Sequence, residues 1–158
     1  MAELLSIISQ DKREAVRGSS EMGSRGEMLA AEFIKREGYR IVMTNFKAPI
    51  GRNSKGVQVT GEIDLIALEG ETLCFIEVKT RRSEDFGGPL SAVDVRKQRQ
   101  ITRTARVYRR LFGLAEIKYR FDVVSVVIEK GLEPRIDIAR SFWTEGKFRK
   151  TTWNHEVW

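Results

Sequence analysis

A chain of 158 residues with 41% hydrophobic and 32% charged residues fits one globular domain with a sizeable core and an ionic surface. Its net charge of +6 favours a polyanionic partner, nucleic acid or an acidic membrane surface, over the plainer reading of a soluble basic surface. With one cysteine, Cys74, and one histidine, His155, an intrachain disulfide and a Cys/His zinc site are excluded, and no run reaches the ~20 apolar residues of a membrane span.

Residues 1–20 read as a short amphipathic helix around Leu4, Leu5, Ile7 and Ile8 followed by a polar link; with Glu3 near its start it does not resemble a secretory signal, so the cytoplasm is expected. From Ser24 to Gly38 the apolar residues Leu29, Ala30, Phe33 and Ile34 recur at helical spacing. Tyr39 to Phe46 is rich in strand formers, and the proline and glycines of Lys47 to Gly56 predict an exposed loop. Two strands follow, about 57–68 and 73–80. Cys74, set among apolar strand residues, reads as a buried small side chain rather than a nucleophile.

After a second loop containing Gly87 and Gly88, a long helix is expected from about Leu90 to Phe112, with Pro89 at its start. Val93, Ile101, Ala105, Tyr108 and Phe112 would face the sheet, and Arg96, Arg99, Arg103, Arg106 and Arg110 would form a basic stripe. Lys97 lies at the boundary between them. Strands over 119–129 and 134–142 precede a basic aromatic tail, whose Phe148 and tryptophans suit docking on the body better than base stacking. The division expected is an N-terminal extension (1–20), a core domain (21–142) and a C-terminal tail (143–158), with a mixed α/β architecture.

The stretch GEIDLIALEGETLCFIEVKT holds the chemistry. A two-residue turn at Gly70-Glu71 pairs Leu68 with Leu73, Ile66 with Phe75, Asp64 with Glu77 and Glu62 with Lys79; a longer turn would shift that register. Alternation then puts Ile63, Leu65 and Ala67 on the opposite, wholly apolar face with Cys74, Ile76 and Val78. Opposed carboxylates at ~4.5–5.5 Å between Cβ atoms are destabilising alone. A divalent cation with oxygen ligands such as Mg²⁺ would relieve them, whereas the blander alternative is a solvated strand end with a surface ion pair.

An Asp on one strand, Glu-x-Lys on the next and an upstream helical Glu resemble the PD-(D/E)XK nuclease superfamily. More closely, Gly26-Glu27, GEIDLIA at 61–67, FIEVKTR at 75–81, FGGP at 86–89 and RFDVV at 120–124 resemble the YraN family, described as predicted endonucleases related to archaeal Holliday-junction resolvases. The resemblance covers about residues 22–128. It implies a restriction-endonuclease-like fold, a mixed central sheet flanked by helices. It also implies Asp64, Glu77 and the Val78 carbonyl as metal ligands, Lys79 as the catalytic lysine, and Glu27 as the helical acidic residue. The loop before GEIDLIA is longer than the family's usual pattern, and the chain extends past the shared core at both ends. Glu27 also completes the S-x-x-E spacing of a capping box from Ser24, a structural role the sequence leaves open. Glu62 has two readings, an ion pair with Lys79 or assistance through water.

The expected function is Mg²⁺-dependent (Mn²⁺ substituting) hydrolysis of phosphodiester bonds in DNA, including branched, Holliday-junction-like or damaged DNA. The metal would polarise a phosphate oxygen and lower the pKa of bound water, and Lys79 would stabilise developing charge. Arg81 and Arg82 are expected near the scissile phosphate, with Lys97 and the helical arginines on the backbone. Cutting two strands would suit a homodimer. The alternatives are a nucleic-acid-binding module of the same fold that does not cut, and a structural protein whose acidic cluster merely pairs with Lys79.

Overall fold

The computed structural model describes residues 20–83 and 93–149. Helix α1 (20–36) leads into a five-stranded sheet in the order β1-β2-β3-β4-β5, formed by β1 (Arg40–Arg52), β2 (Gln58–Glu69), β3 (Thr72–Arg81), β4 (Tyr119–Val127) and β5 (Arg135–Trp143). Helix α2 (Val95–Leu111) is the crossover between β3 and β4, the one parallel pair; every other neighbouring pair is antiparallel. A crossover helix is what a parallel pair requires, because a tight turn cannot reverse the chain twice. The result is a single-domain α/β fold with a mixed sheet between helices, a restriction-endonuclease-like arrangement.

Two apolar clusters sandwich the sheet. On the α1 face Ala30 and Ile34 pack with Tyr39, Leu65, Cys74 and Val124; on the α2 face Ile101, Ala105 and Tyr108 pack with Ile66, Phe75 and Phe121. Each helix docks at a glycine. A Cβ on Gly26 of α1 would lie 1.8 Å from Thr80 Oγ1 of β3, and one on Gly61 of β2 would lie 1.9 Å from Thr104 Oγ1 of α2. The neighbours at both contacts are short, stiff threonine side chains with no flexible end to swing away. Gly26→Ala should therefore push α1 off β3 and cost ~1–3 kcal/mol, measurable as a lower denaturation midpoint at unchanged m-value. A midpoint equal to wild type would show that the helix is not seated there.

The structure departs from the sequence expectation at several elements. Helix α1 is already formed at residue 20, so Ser24 lies inside the helix and the capping-box reading of Ser24 and Glu27 falls. At its other end Gly38, at φ 92°, closes a Schellman motif in which the Gly38 amide donates to Lys35 O and the Tyr39 amide to Ile34 O. β1 runs on to Arg52, taking in residues 47–52 of the expected loop. The connection shrinks to 53–57, where the Asn53 side chain accepts from the Lys55 and Val57 amides. β-pairing with β2 outweighed the turn-forming composition.

Helix α2 begins later than expected, at Val95, with the Asp94 carboxylate accepting from the Lys97 amide at 2.8 Å as its N-cap. Phe112 caps the helix and is 51% exposed rather than core, although its ring rests on Tyr108 at 4.6 Å. Trp143 ends β5, buried, stacked on Phe121 at 4.8 Å and donating its indole N–H to Thr102. Trp143 is therefore unavailable for base stacking, whereas Trp153, Trp158, Leu90 and Pro89 lie outside the described residues.

Candidate metal centre and basic surface

The β2–β3 hairpin turns through Gly70 (φ 59°), and Glu71 stays out of the left-handed region, the pattern of the glycine-first turn. Leu68 faces Leu73 and Ile66 faces Phe75, as the sequence predicts, but the ladder ends at Leu65–Ile76. Beyond that point Asp64 reaches across the gap, its carboxylate accepting from the Val78 amide at 2.8 Å. The side chain thus replaces a ladder hydrogen bond and holds the two strands together where their own pairing stops. Ile63 is displaced from its expected face: it joins the α2-side cluster, not the one containing Leu65 and Ala67. The neighbouring strand carries the matching irregularity, Asn45 at φ 50°, a left-handed conformation that Asn tolerates better than most residues.

Glu77 is 3% exposed. One carboxylate oxygen lies 3.2 Å from Lys79 Nζ and 3.6 Å from Lys97 Nζ, so β3 and α2 each bring an ammonium to it. Its other oxygen, Oε2, is buried and accepts no hydrogen bond among the described residues. An orphaned buried acceptor normally costs ~1–3 kcal/mol, which makes this oxygen the most unusual atom of the cleft. Asp64 is pushed up to about 7, chiefly by burial and next by the charge of Glu77, while the Val78 amide and Lys97 pull it back. The Asp64 and Glu77 carboxyl groups, the latter with a free oxygen, form a hard-oxygen donor pair suited to a cation such as Mg²⁺.

Glu27 sits on α1 beside this cleft, directly after the glycine that seats the helix on Thr80. Its carboxyl is shifted upward by burial, then by Asp64 and Glu62, against a hydrogen bond with the Asn45 side chain. The helix therefore carries Glu27 into the field of Asp64, which a capping role would not require. Among the described residues, however, no three His, Cys, Asp or Glu side chains converge as a ligand group. Glu62 does not pair with Lys79. It meets Lys47 at 3.7 Å, its direct cross-strand partner on β1, which the sequence had assigned to a loop.

The basic residues separate into distinct sets. Lys97 belongs to the cleft through Glu77. Arg96, Arg99 and Arg103 line a groove beside the β1–β2 hairpin. Arg106 is bound by Glu145, which also contacts Arg109 and accepts from the Tyr119 hydroxyl, so the continuous five-arginine stripe does not exist as free positive charge. Arg110 stays exposed in the last turn. Arg81 buries a guanidinium nitrogen, and Arg82 lines a separate cavity of about 750 Å³ with Glu21, Arg25 and Glu129. Cys74 is buried and its thiol is pushed up to about 12 by that burial, the inert side chain expected. No described helix is long and apolar enough to cross a membrane.

Comparison with known proteins places this arrangement in a sequence family. The model of uncharacterised protein family UPF0102 matches residues 26–126, from the glycine under Glu27 to the penultimate residue of β4. A UPF0102 protein of Chlorobium chlorochromatii is 44% identical over 131 residues, covering 79% of this chain and 93% of the relative. Another, from Renibacterium salmoninarum, is 40% identical over 125 residues, covering 79% and 98%, and one from Geobacter sulfurreducens is 40% identical over 116 residues, covering 73% and 83%. With its candidate centre and both helix-seating glycines inside the matched region, the chain belongs to the UPF0102, YraN-like family.

Proposed function

We propose that this protein is a divalent-metal-dependent endonuclease that hydrolyses phosphodiester bonds in DNA, branched or damaged DNA included. The observation that supports this reading most is the buried, unpartnered Glu77 Oε2 beside Asp64 and two lysines. Asp64 and Glu77, with the Val78 carbonyl, would hold Mg²⁺ or Mn²⁺. Bound there, the ion supplies Lewis-acid polarisation of a phosphate oxygen and a more acidic water.

The remaining work falls to this chain's own groups. Lys79, partly exposed next to Glu77, can reach the entering phosphate and stabilise the charge that builds as water adds and a P–O ester bond breaks. Lys97 offers a second ammonium from α2, and Glu27, its carboxyl shifted upward by burial and by Asp64 and Glu62, would exchange a proton at the rim.

A second reading, a DNA-binding module without cleavage, draws on the same ion pair. An ammonium 3.2 Å from Glu77 already offsets part of the charge that a metal would neutralise. The two readings separate on linear, single-stranded, flapped and four-way-junction DNA incubated with Mn²⁺. Endonuclease action predicts cleavage that falls ~10²–10³-fold in Lys79→Ala. Cleavage that persists equally in the variant would assign the activity to a contaminant and leave the binding module.

A further inference from the structure

The β1–β2 hairpin and α2 enclose a feature that the candidate metal centre does not use. Arg52 and Asn53 at the hairpin tip, with Ile50 and Val59 beneath them, face Arg96, Arg99 and Arg103 across a cavity of about 280 Å³. Arg99 and Arg103 also line the next cavity along α2, about 380 Å³, whose far wall is Phe148 after the short helical turn Glu145–Phe148. The two cavities therefore form one continuous groove across the outer side of α2.

Its charge is one-sided. Among the described residues neither lining includes a carboxylate. Arg52 is held by donating to Gly56 O at 2.7 Å, and the Arg99 guanidinium lies 5.5 Å over the Phe148 ring. Both are thus pre-positioned without neutralisation, whereas Arg106 at the groove's end is already bound to Glu145. Placing several like charges together raises the energy of the free protein, and a polyanion relieves it.

We propose that this groove, with Arg52, Arg96, Arg99 and Arg103 as its contacts, seats the phosphate backbone of duplex DNA, the hairpin acting as its second wall. The proposal rests on the reading of this protein as a DNA-acting enzyme and adds the track along which the duplex lies. From Arg96 to Arg103 the helix advances ~10 Å, so the contacts spread along a strand rather than gripping one phosphate. Lys97 on the adjoining face of the same helix reaches Glu77, which ties the track to the cleft. The contacts carry no base information and position the substrate only.

Binding of a fluorescent 30-base-pair DNA duplex in EDTA, measured by anisotropy from 50 to 200 mM salt, tests this without cleavage. Arg52→Ala, Arg99→Ala and Arg103→Ala should each weaken binding several-fold and reduce the salt slope by about 0.9, while Arg36→Ala, exposed on α1 across the sheet, changes it less than twofold. Equal losses at Arg36 and at the groove, or wild-type binding by the groove variants, would overturn the proposal. Circular dichroism of each variant confirms that the fold is retained. Groove-dependent binding in a protein that never cuts would uphold the track and remove the nuclease reading. Cutting that is indifferent to the groove variants would do the reverse.

Discussion

Asp64→Asn should abolish divalent-ion binding and lower cleavage by ~10²–10³-fold, while making the metal-free protein more stable at pH 8. The asparagine keeps an oxygen to accept from the Val78 amide at the end of the β2–β3 ladder. What it removes is a carboxylate whose folded pKa is about 7, raised from 3.8 first by burial and then by Glu77. Between those values the folded chain holds a proton that the unfolded chain has lost. This group's contribution to stability therefore declines as pH rises from about 4 to about 7 and is level above that. The decline is worth at most ~4 kcal/mol, and the variant should recover it.

A bound cation would displace that same proton. Mn²⁺ affinity should accordingly climb by up to about tenfold per pH unit toward pH 7 and then flatten. Calorimetric titration of Mn²⁺ at pH 5.5 and 8, beside thermal denaturation in EDTA, checks both halves. Unchanged Mn²⁺ affinity in Asp64→Asn would end the metal-centre reading.

Arg120→Ala is expected to produce the largest loss of stability, ~3–5 kcal/mol. On the α1 face Asp122 is fully buried and accepts from Arg120 Nε at 2.9 and 3.0 Å, from the Ser141 amide at 2.9 Å and from the Tyr39 hydroxyl at 3.3 Å. Arg120 also binds Glu69 at the β2–β3 turn and donates to Tyr39. Ser141 is at φ 53°, and the β4–β5 register shifts between Phe121 and Val123, so the strand bulges where its amide turns to the carboxylate. Truncating Arg120 leaves a buried carboxylate without its cation. Urea denaturation reads the loss directly. A cost below ~1 kcal/mol would mean that water replaces the guanidinium and that the network is not sealed.

The local features that could be read from sequence share one property: nearby residues decide them. Glycine at Gly70 settled the hairpin turn and, through it, the pairing of Leu68 with Leu73 and Ile66 with Phe75. Period 3.6 placed Ala30, Ile34, Ile101, Ala105 and Tyr108 in the core. The spacing of Asp64, Glu77 and Lys79 anticipated their nearness, because alternate positions of β3 share a face and the turn brings β3 beside β2, although the ladder stops one residue short of Asp64.

Elsewhere, partners remote in sequence prevailed. The long β1, opposite β2, drew Lys47 out of its expected loop and gave Glu62 its cation. A side chain on β5's distal turn, Glu145, captured Arg106 and divided an arginine series that looks uniform along α2. Past the end of the β2–β3 ladder Ile63 lies on the α2 side and Glu27 lies in the field of Asp64, for no alternation rule foresees where a ladder breaks.

The order of residues alone was enough to specify the hairpin and the core-facing helix positions, and to single out two carboxylates and a lysine as candidates. Their burial, the unsatisfied oxygen on Glu77, the arrival of Lys97 and the groove under the hairpin exist only once α1 and α2 close on opposite faces of the sheet. The difference is physical. Turns and periodicity depend on contacts a few residues apart, but desolvation and charge pairing depend on which distant chain segments exclude water together.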